Sequence, residues 1–133
     1  MKFKSTHGLF SVLLGVAFTS GLAAQELKSG EQVYKQTCFA CHGAGVAGAP
    51  KFAGEADWAH LVEEGQAVVT AHGWVGEGAM PPKGGNAELR LEEFARAVAY
   101  MGRAAGADWS DPDSAMLETI RDEERKRIEE LGK

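Results

Sequence analysis

Between residues 87 and 105 the chain reads AELRLEEFARAVAYMGRAA, and its apolar positions recur in steps of three and four. Leu91, Phe94, Ala95, Val98 and Met101 form one stripe, the pattern of a helix with a single buried face. The spacing predicts a helix over 87–105. Upstream, Ser29 and Gln32 have the spacing of a capping box, so a helix is expected to open within 25–37 and run on into the following residues. Residues 55–65, EADWAHLVEEG, begin with an acidic turn and end on Gly65, a start and a stop for another helix. Residues 66–74 predict a short helix stopping at Gly73.

Between these segments the pattern breaks. Residues 43–54 are rich in Gly and Ala and contain Pro50, which is loop chemistry. Residues 75–86, VGEGAMPPKGGN, hold two prolines and four glycines and admit no regular element. No stretch alternates apolar and polar residues over a strand length, and no repeat recurs. The fold class is therefore all-α, with short helices joined by glycine-rich loops.

The last segment differs in character. After GADWSDPDS a highly charged helix is expected from about Ala115 to Leu131. Asp111 can cap it with Pro112 at its first position. Asp122–Lys126 and Glu123–Arg127 are acid-before-base pairs at four-residue spacing. Met116, Leu117, Ile120, Ile128 and Leu131 are apolar, but Glu124 interrupts their stripe. A charge run of this kind reads first as a solvated helix lying loosely on the domain. The sharper reading is a docking helix anchored by the broken stripe.

The first 24 residues stand apart. Lys2 and Lys4 precede the apolar run LFSVLLGVAF, and small residues follow up to Ala24. That order is a secretory signal, with cleavage after Ala23 or Ala24. The run is shorter than the ~20 residues a membrane span needs. The whole chain of 133 residues carries a formal charge of −5, and loss of Lys2 and Lys4 takes it to −7. An acidic, exported protein is a poor nucleic-acid binder, because phosphate recognition needs basic patches. Export also sets the redox conditions, under which free thiols oxidise.

The chain has two cysteines, Cys38 and Cys41, in the stretch CFACHGAG, with His42 directly after them. Structural zinc needs four ligands, and the histidines available beyond the signal and the motif, His60 and His72, are twelve residues apart rather than three to five. A thioredoxin-type disulfide expects a strand before the motif, and none is visible. C-x-x-C-H is also the attachment motif of c-type haem. Two thiols three residues apart on a helical turn reach the two vinyl groups on one porphyrin edge, and the next residue offers an imidazole to the iron. A six-coordinate iron then needs a distal ligand. Met80 lies in GAMPPKGG, a loop stiffened by Pro81 and Pro82, which loses little entropy on binding. Met101 lies on the apolar stripe and suits the core. Met116 lies in the charged tail. His60 and His72 are the other candidates for the distal position.

The stretches GEQVYKQTCFACHGAGVAGAPKFAG, DWAHLVEEG, GAMPPKGGN and EEFARAVAYM together resemble a class I cytochrome c, and more narrowly the cytochrome c5 family, over about residues 30 to 102. The resemblance implies a small fold of short helices around one covalently bound haem c, with the charged helix as an addition. It divides the chain into a signal at 1–24, a cytochrome c domain at 25–105 and a linker with the charged helix at 106–133. Cys38 and Cys41 are implied as the haem attachment points and His42 and Met80 as axial iron ligands. Gly30 and Tyr34 match the face where the first and last helices of that fold cross, and Tyr100 the aromatic opposite. Pro50 matches the proline whose carbonyl accepts the imidazole proton, which fixes a ligand ring. Trp58 matches a tryptophan near a haem propionate; a core aromatic is its plainer reading. Some members carry a second cysteine pair near the distal loop, which this chain lacks.

The implied function is that of a periplasmic electron carrier, with no substrate at the iron. A haem enzyme of the peroxidase kind would need an open iron position, against which the Met80 loop argues. The alternative is a fixed electron-transfer subunit of a larger oxidoreductase. The implied partners are protein redox donors and acceptors. Peripheral association with membrane respiratory complexes, and self-association or partner docking through the C-terminal helix, are further arrangements the resemblance leaves open.

Overall fold

Helix α5, Leu91–Ala104, buries the whole stripe: Leu91, Phe94, Ala95, Val98 and Met101 are each at most 8% exposed. The computed structural model describes residues 1–2 and 25–133, so the signal expected over 1–24 lies outside the described residues. Among the described residues no helix is long and apolar enough to cross a membrane. Helix α5 starts later than its sequence pattern predicts. The Asn86 side chain accepts from Glu88 N–H at 3.2 Å and its carbonyl from Leu89 N–H at 3.2 Å, holding residues 86–89 in a turn. Leu89 is buried from that turn rather than from the helix.

The opening helix is capped as expected. Ser29 Oγ accepts from Gln32 N–H at 3.2 Å, and Gln32 Oε1 accepts from Ser29 N–H at 2.8 Å. It runs as α1 (Gly30–Val33), a π-helical turn (Tyr34–Cys38) and α2 (Phe39–His42). Helices α1 and α5 cross at Gly30, where a Cβ would overlap the Arg96 carbonyl oxygen and lie 2.9 Å from Tyr100 Cβ. Ahead of the crossing, residues 25–28 lie along α5. Arg90 and Arg96 donate to the carbonyls of Gln25, Leu27 and Lys28, and Glu93 accepts from Lys28 N–H at 3.1 Å.

Helix α3, Glu55–Glu64, ends at Gly65 with φ +96°, as its sequence predicts. Helix α4, Gln66–Val75, continues through Gly73 and ends at Gly76, φ +101°. Gly73 is thus not a stop but a close approach: a Cβ there would meet Phe94 Cζ at 3.0 Å. The loop after it is pinned by a short antiparallel bridge between Glu77 and Met80 and by a 3₁₀ turn at Pro82–Gly85.

The C-terminal helix α6, Ser114–Glu130, corrects the expectation of a helix lying loosely on the domain. It is not loose, and the middle of its apolar stripe is turned inward. Ile120 is fully buried in a cluster with Ala71, Leu91 and Ala95, and Met116 and Leu117 pack against the same cluster. Burying a residue of that size is worth about 1.5–3 kcal/mol. Glu124, the residue that breaks the stripe, is the acceptor for the Trp74 indole N–H at 3.0 Å. The linker is also part of the core. Trp109 lies against Gly102, where a Cβ would come within 2.6 Å of its ring, and meets Trp58 edge-on at 6.4 Å. The cap is Asp113, whose carboxylate accepts from Met116 N–H at 2.8 Å; Asp111 instead pairs with Arg103 at 3.2 Å. The surface pairs on α6 use three-residue steps, Asp122–Arg125, Glu123–Lys126 and Arg127–Glu130, and Arg127 also reaches Glu77.

Candidate functional site

The π-helical turn brings the cysteines to the site. Phe39 N–H bonds to the Tyr34 carbonyl five residues back, which adds one residue to that turn. Cys38 is rotated inward and buried, while Cys41 is exposed one turn on. The Cys38 thiol approaches the Val33 carbonyl at 4.0 Å, and burial pushes it up to about 11. The sequence carries no evident signal for this extra residue.

His42 closes α2 and is 8% exposed. Its Nδ1 lies 2.8 Å from the Pro50 carbonyl, which can only accept, so Nδ1 carries a proton and, in the neutral ring, Nε2 has the lone pair. The loop is folded back at that point by a second bond, Phe52 N–H to the His42 carbonyl at 2.7 Å. A neutral imidazole with a fixed ring and a basic Nε2 is the form that binds a metal.

Met80 comes from a separate loop, after α4. Its N–H and carbonyl bond to Glu77 at 2.8 and 3.1 Å, closing the turn. Its side chain is half-buried and packs on the cluster that contains Cys38, Phe94 and Met101. The Met80 methyl lies 3.4 Å from where a Gly73 Cβ would be and 4.0 Å from one on Gly84. Thus two glycines give this thioether its room. Gly84 faces Thr37 Cγ2, and Asn86 Nδ2 donates to Thr37 Oγ1 at 3.1 Å. The distal loop is therefore tied to the residue next to Cys38. Sequence reasoning passed over Thr37 and Asn86, because a polar pair 49 residues apart leaves no periodic trace.

The remaining candidates divide. Tyr34 and Tyr100 meet at the helix crossing at 5.6 Å, and Phe52, not foreseen, stacks on both at 4.4 and 5.4 Å. Burial, with Tyr100 and Cys38 nearby, raises the Tyr34 hydroxyl above its ordinary range. Trp58 is 2% exposed, and its indole N–H donates to the Lys51 carbonyl at 2.9 Å. That donor bonds to the backbone, and the ring packs in the core beside Trp109. Met101 is buried in the core, as expected. His60 is exposed on α3, and His72 lies 3.8 and 3.9 Å from the Glu64 and Glu77 carboxylates. Among the described residues no three His, Cys, Asp or Glu side chains gather as a metal-ligand group.

What the chain brings together is two thiols on one helical turn, an imidazole with its lone pair on Nε2, and a thioether on a separate loop beside the same apolar cluster. That set fits haem c, which takes two thioether bonds, one imidazole and one sulfur ligand. The comparisons agree. Residues 25–101, more than half of the chain, match the family described as cytochrome c oxidase, cbb3-type, subunit III. Cytochrome c-555 of Chlorobaculum tepidum is 38% identical over 97 residues, covering 68% of this chain and 90% of that protein. Cytochrome c5 of Ectopseudomonas mendocina is 37% identical over 76 residues, covering 56% of this chain and 87% of that protein. A chain in the crystal structure of an electron transfer complex of nitrite reductase with cytochrome c is 41% identical, with a TM-score of 0.56. It covers 60% of this chain and 99% of its own length.

Proposed function

The chain belongs to the class I c-type cytochromes, and from that membership we propose that it is a periplasmic electron carrier whose iron lies between His42 and Met80. The protein carries one covalently bound haem c, which supplies a one-electron redox centre. Cys38 and Cys41 are the attachment points. His42 is the proximal ligand, held by Pro50, and Met80 the distal one, held by the Glu77 turn. The observation that carries this reading is the His42–Pro50 contact of 2.8 Å, because it fixes both the ring and the tautomer of the residue after the cysteines.

The protein's work is orientation and exclusion. The Cys38 side chain, Phe94 and Met101 make a dry wall, and a sulfur ligand in such surroundings favours the reduced state. With Met80 as ligand the iron would be six-coordinate and would offer no open position to a substrate. We assign residues 1–24 to the export signal and 25–133 to one folded unit, since Trp109 and Ile120 are core residues. Redox partners are proteins, a reading that the likeness to a cytochrome c complexed with nitrite reductase supports.

One observation favours a fixed subunit of a larger oxidoreductase: the matching family is described as an oxidase subunit. The coverage of small relatives favours the diffusing carrier, since 90% of the Chlorobaculum tepidum cytochrome aligns here. The oxidised and reduced absorption spectra of the purified mature protein test the ligand set. Covalent, low-spin haem with a sulfur ligand is expected; a high-spin ferric form that binds cyanide at once would overturn it. The size of the haem-bearing species in a periplasmic extract separates the two modes: a carrier elutes near the mass of one chain.

A further inference from the structure

Helix α6 lies beyond the matched family region, which ends at residue 101, yet one of its side chains reaches the loop that presents Met80 and a second reaches Trp74, at the end of α4 just before that loop. Arg127 pairs with Glu77, the residue whose backbone closes the Met80 turn. Glu124 takes the Trp74 indole N–H at 3.0 Å, and Lys83 Nζ lies 4.4 Å over the Trp74 ring. The first connection meets the loop three residues before Met80; the second meets it only through Lys83 on the Trp74 ring, three residues after Met80. Between them, a cleft of about 340 Å³ separates the turn from the end of α6, lined by Gly76, Met80, Pro82, Arg127 and Leu131. The α6 side of the turn is therefore partly open, and Arg127, which lines the cleft, is paired with Glu77. Arg127 is 18% exposed along its side chain, so its charge is more shielded from water than an ordinary surface arginine's.

We propose that α6 is a strap for the distal loop, with Arg127 and Glu124 as positioning residues that keep Met80 at the iron. The proposal rests on Met80 being the distal ligand. The strap acts by making loop opening cost more: when the turn lifts, Glu77 must leave Arg127 and Lys83 must leave Trp74. Glu77 is 52% exposed, so the pair is of the partly solvated kind and its effect is modest. An ion-pair origin also makes the effect smaller in high salt.

The test uses the mature, full-length holoprotein and imidazole as the probe, which competes with Met80 for ferric iron only when the loop opens. R127A and E77Q are each expected to tighten imidazole binding about fivefold, or about 1 kcal/mol. E124A is expected to act in the same direction. The charge-swapped pair E77R with R127E is expected to return the affinity toward wild type, and 0.5 M salt to shrink the difference. E77Q, on an exposed side chain, keeps the test alive if an Arg127 variant folds badly. Imidazole affinity that stays at the wild-type value in R127A, E77Q and E124A overturns the strap, even where thermal midpoints fall. M80A separates the two readings. If it binds imidazole far more tightly than wild type while R127A does not change, the ligand stands and the strap fails. If wild type binds as M80A does, Met80 is not the ligand and both fail.

Discussion

The Cα of Gly30 faces the carbonyl of Arg96 so closely that a side chain of any size would overlap the oxygen. The contact brings α1 against α5 and presses Tyr34, Phe52 and Tyr100 into one aromatic stack. Because the obstacle is backbone, rotamer changes cannot relieve it. Gly30→Ala is expected to force the helices apart and destabilise the holoprotein by about 3 kcal/mol, the upper range for overpacking. A glycine to alanine change on an exposed helix would instead stabilise by a few tenths up to about 1 kcal/mol. Denaturant unfolding of the two forms gives the sign directly.

Glu93 is the one buried acid of α5, 4% exposed, and it accepts from the backbone N–H groups of Lys28 and Arg90. Burial pushes its carboxyl up, but those two bonds and the Lys28 and Arg90 charges outweigh it, and the net shift is downward. A lowered folded pKa means that ionised Glu93 adds stability above its unfolded value, about 4.3, and that this stability is lost as pH falls through the folded value. Glu93→Gln is expected to cost about 2 kcal/mol at pH 7 and progressively less below pH ~4. Unfolding midpoints of both forms from pH 7 down to 3 test this. A gap that stays constant with pH would mean that shape, not charge, makes the contribution.

Much of this was legible because it is local. The stripe at Leu91, Phe94, Ala95, Val98 and Met101, the Ser29–Gln32 cap and the Gly65 stop are each written within a few residues. Cys38, Cys41 and His42 fall within five residues, and the resemblance brought Pro50 to them. What stayed hidden depends on distance. Gly73 reads as a helix stop because nothing nearby in sequence says that Phe94 will press on it. Glu124 reads as a fault in an apolar stripe until Trp74, 50 residues earlier, is placed opposite it. Asp111 looks like the better cap because of Pro112, yet Arg103 claims it and Asp113 takes the role.

The tail supplies a prediction opposite to the one its charge suggests. A chain ending at Ala105 loses Trp109, which covers Gly102 and Trp58, and Ile120, which fills the space between α4 and α5. Trp109→Ala and Ile120→Ala are expected to cost about 3–5 and 2–5 kcal/mol. Thermal unfolding of the point variants is the cleaner measurement, since truncation exposes several apolar side chains at once. Losses under 0.5 kcal/mol in both would return α6 to the role of a solvated appendage.

Met80 and Met101 allow the ligand to be separated from the core, because both touch the same cluster but differ in burial and support. Met101 is 4% exposed and lies on the continuous stripe of α5, while Met80 is half-buried on a loop fastened by Glu77. Met101→Ala removes packing only. It is expected to cost about 2–5 kcal/mol while the spin state and midpoint potential stay near wild type. Met80→Ala removes a half-buried side chain, so its packing loss lies below that range. It is expected to open the iron, shift the ferric form toward high spin and lower the potential, because the thioether favours the reduced state. The two readouts move in opposite combinations for a ligand and a core residue. If Met101→Ala changes the spectrum and Met80→Ala changes only stability, the distal ligand lies on α5.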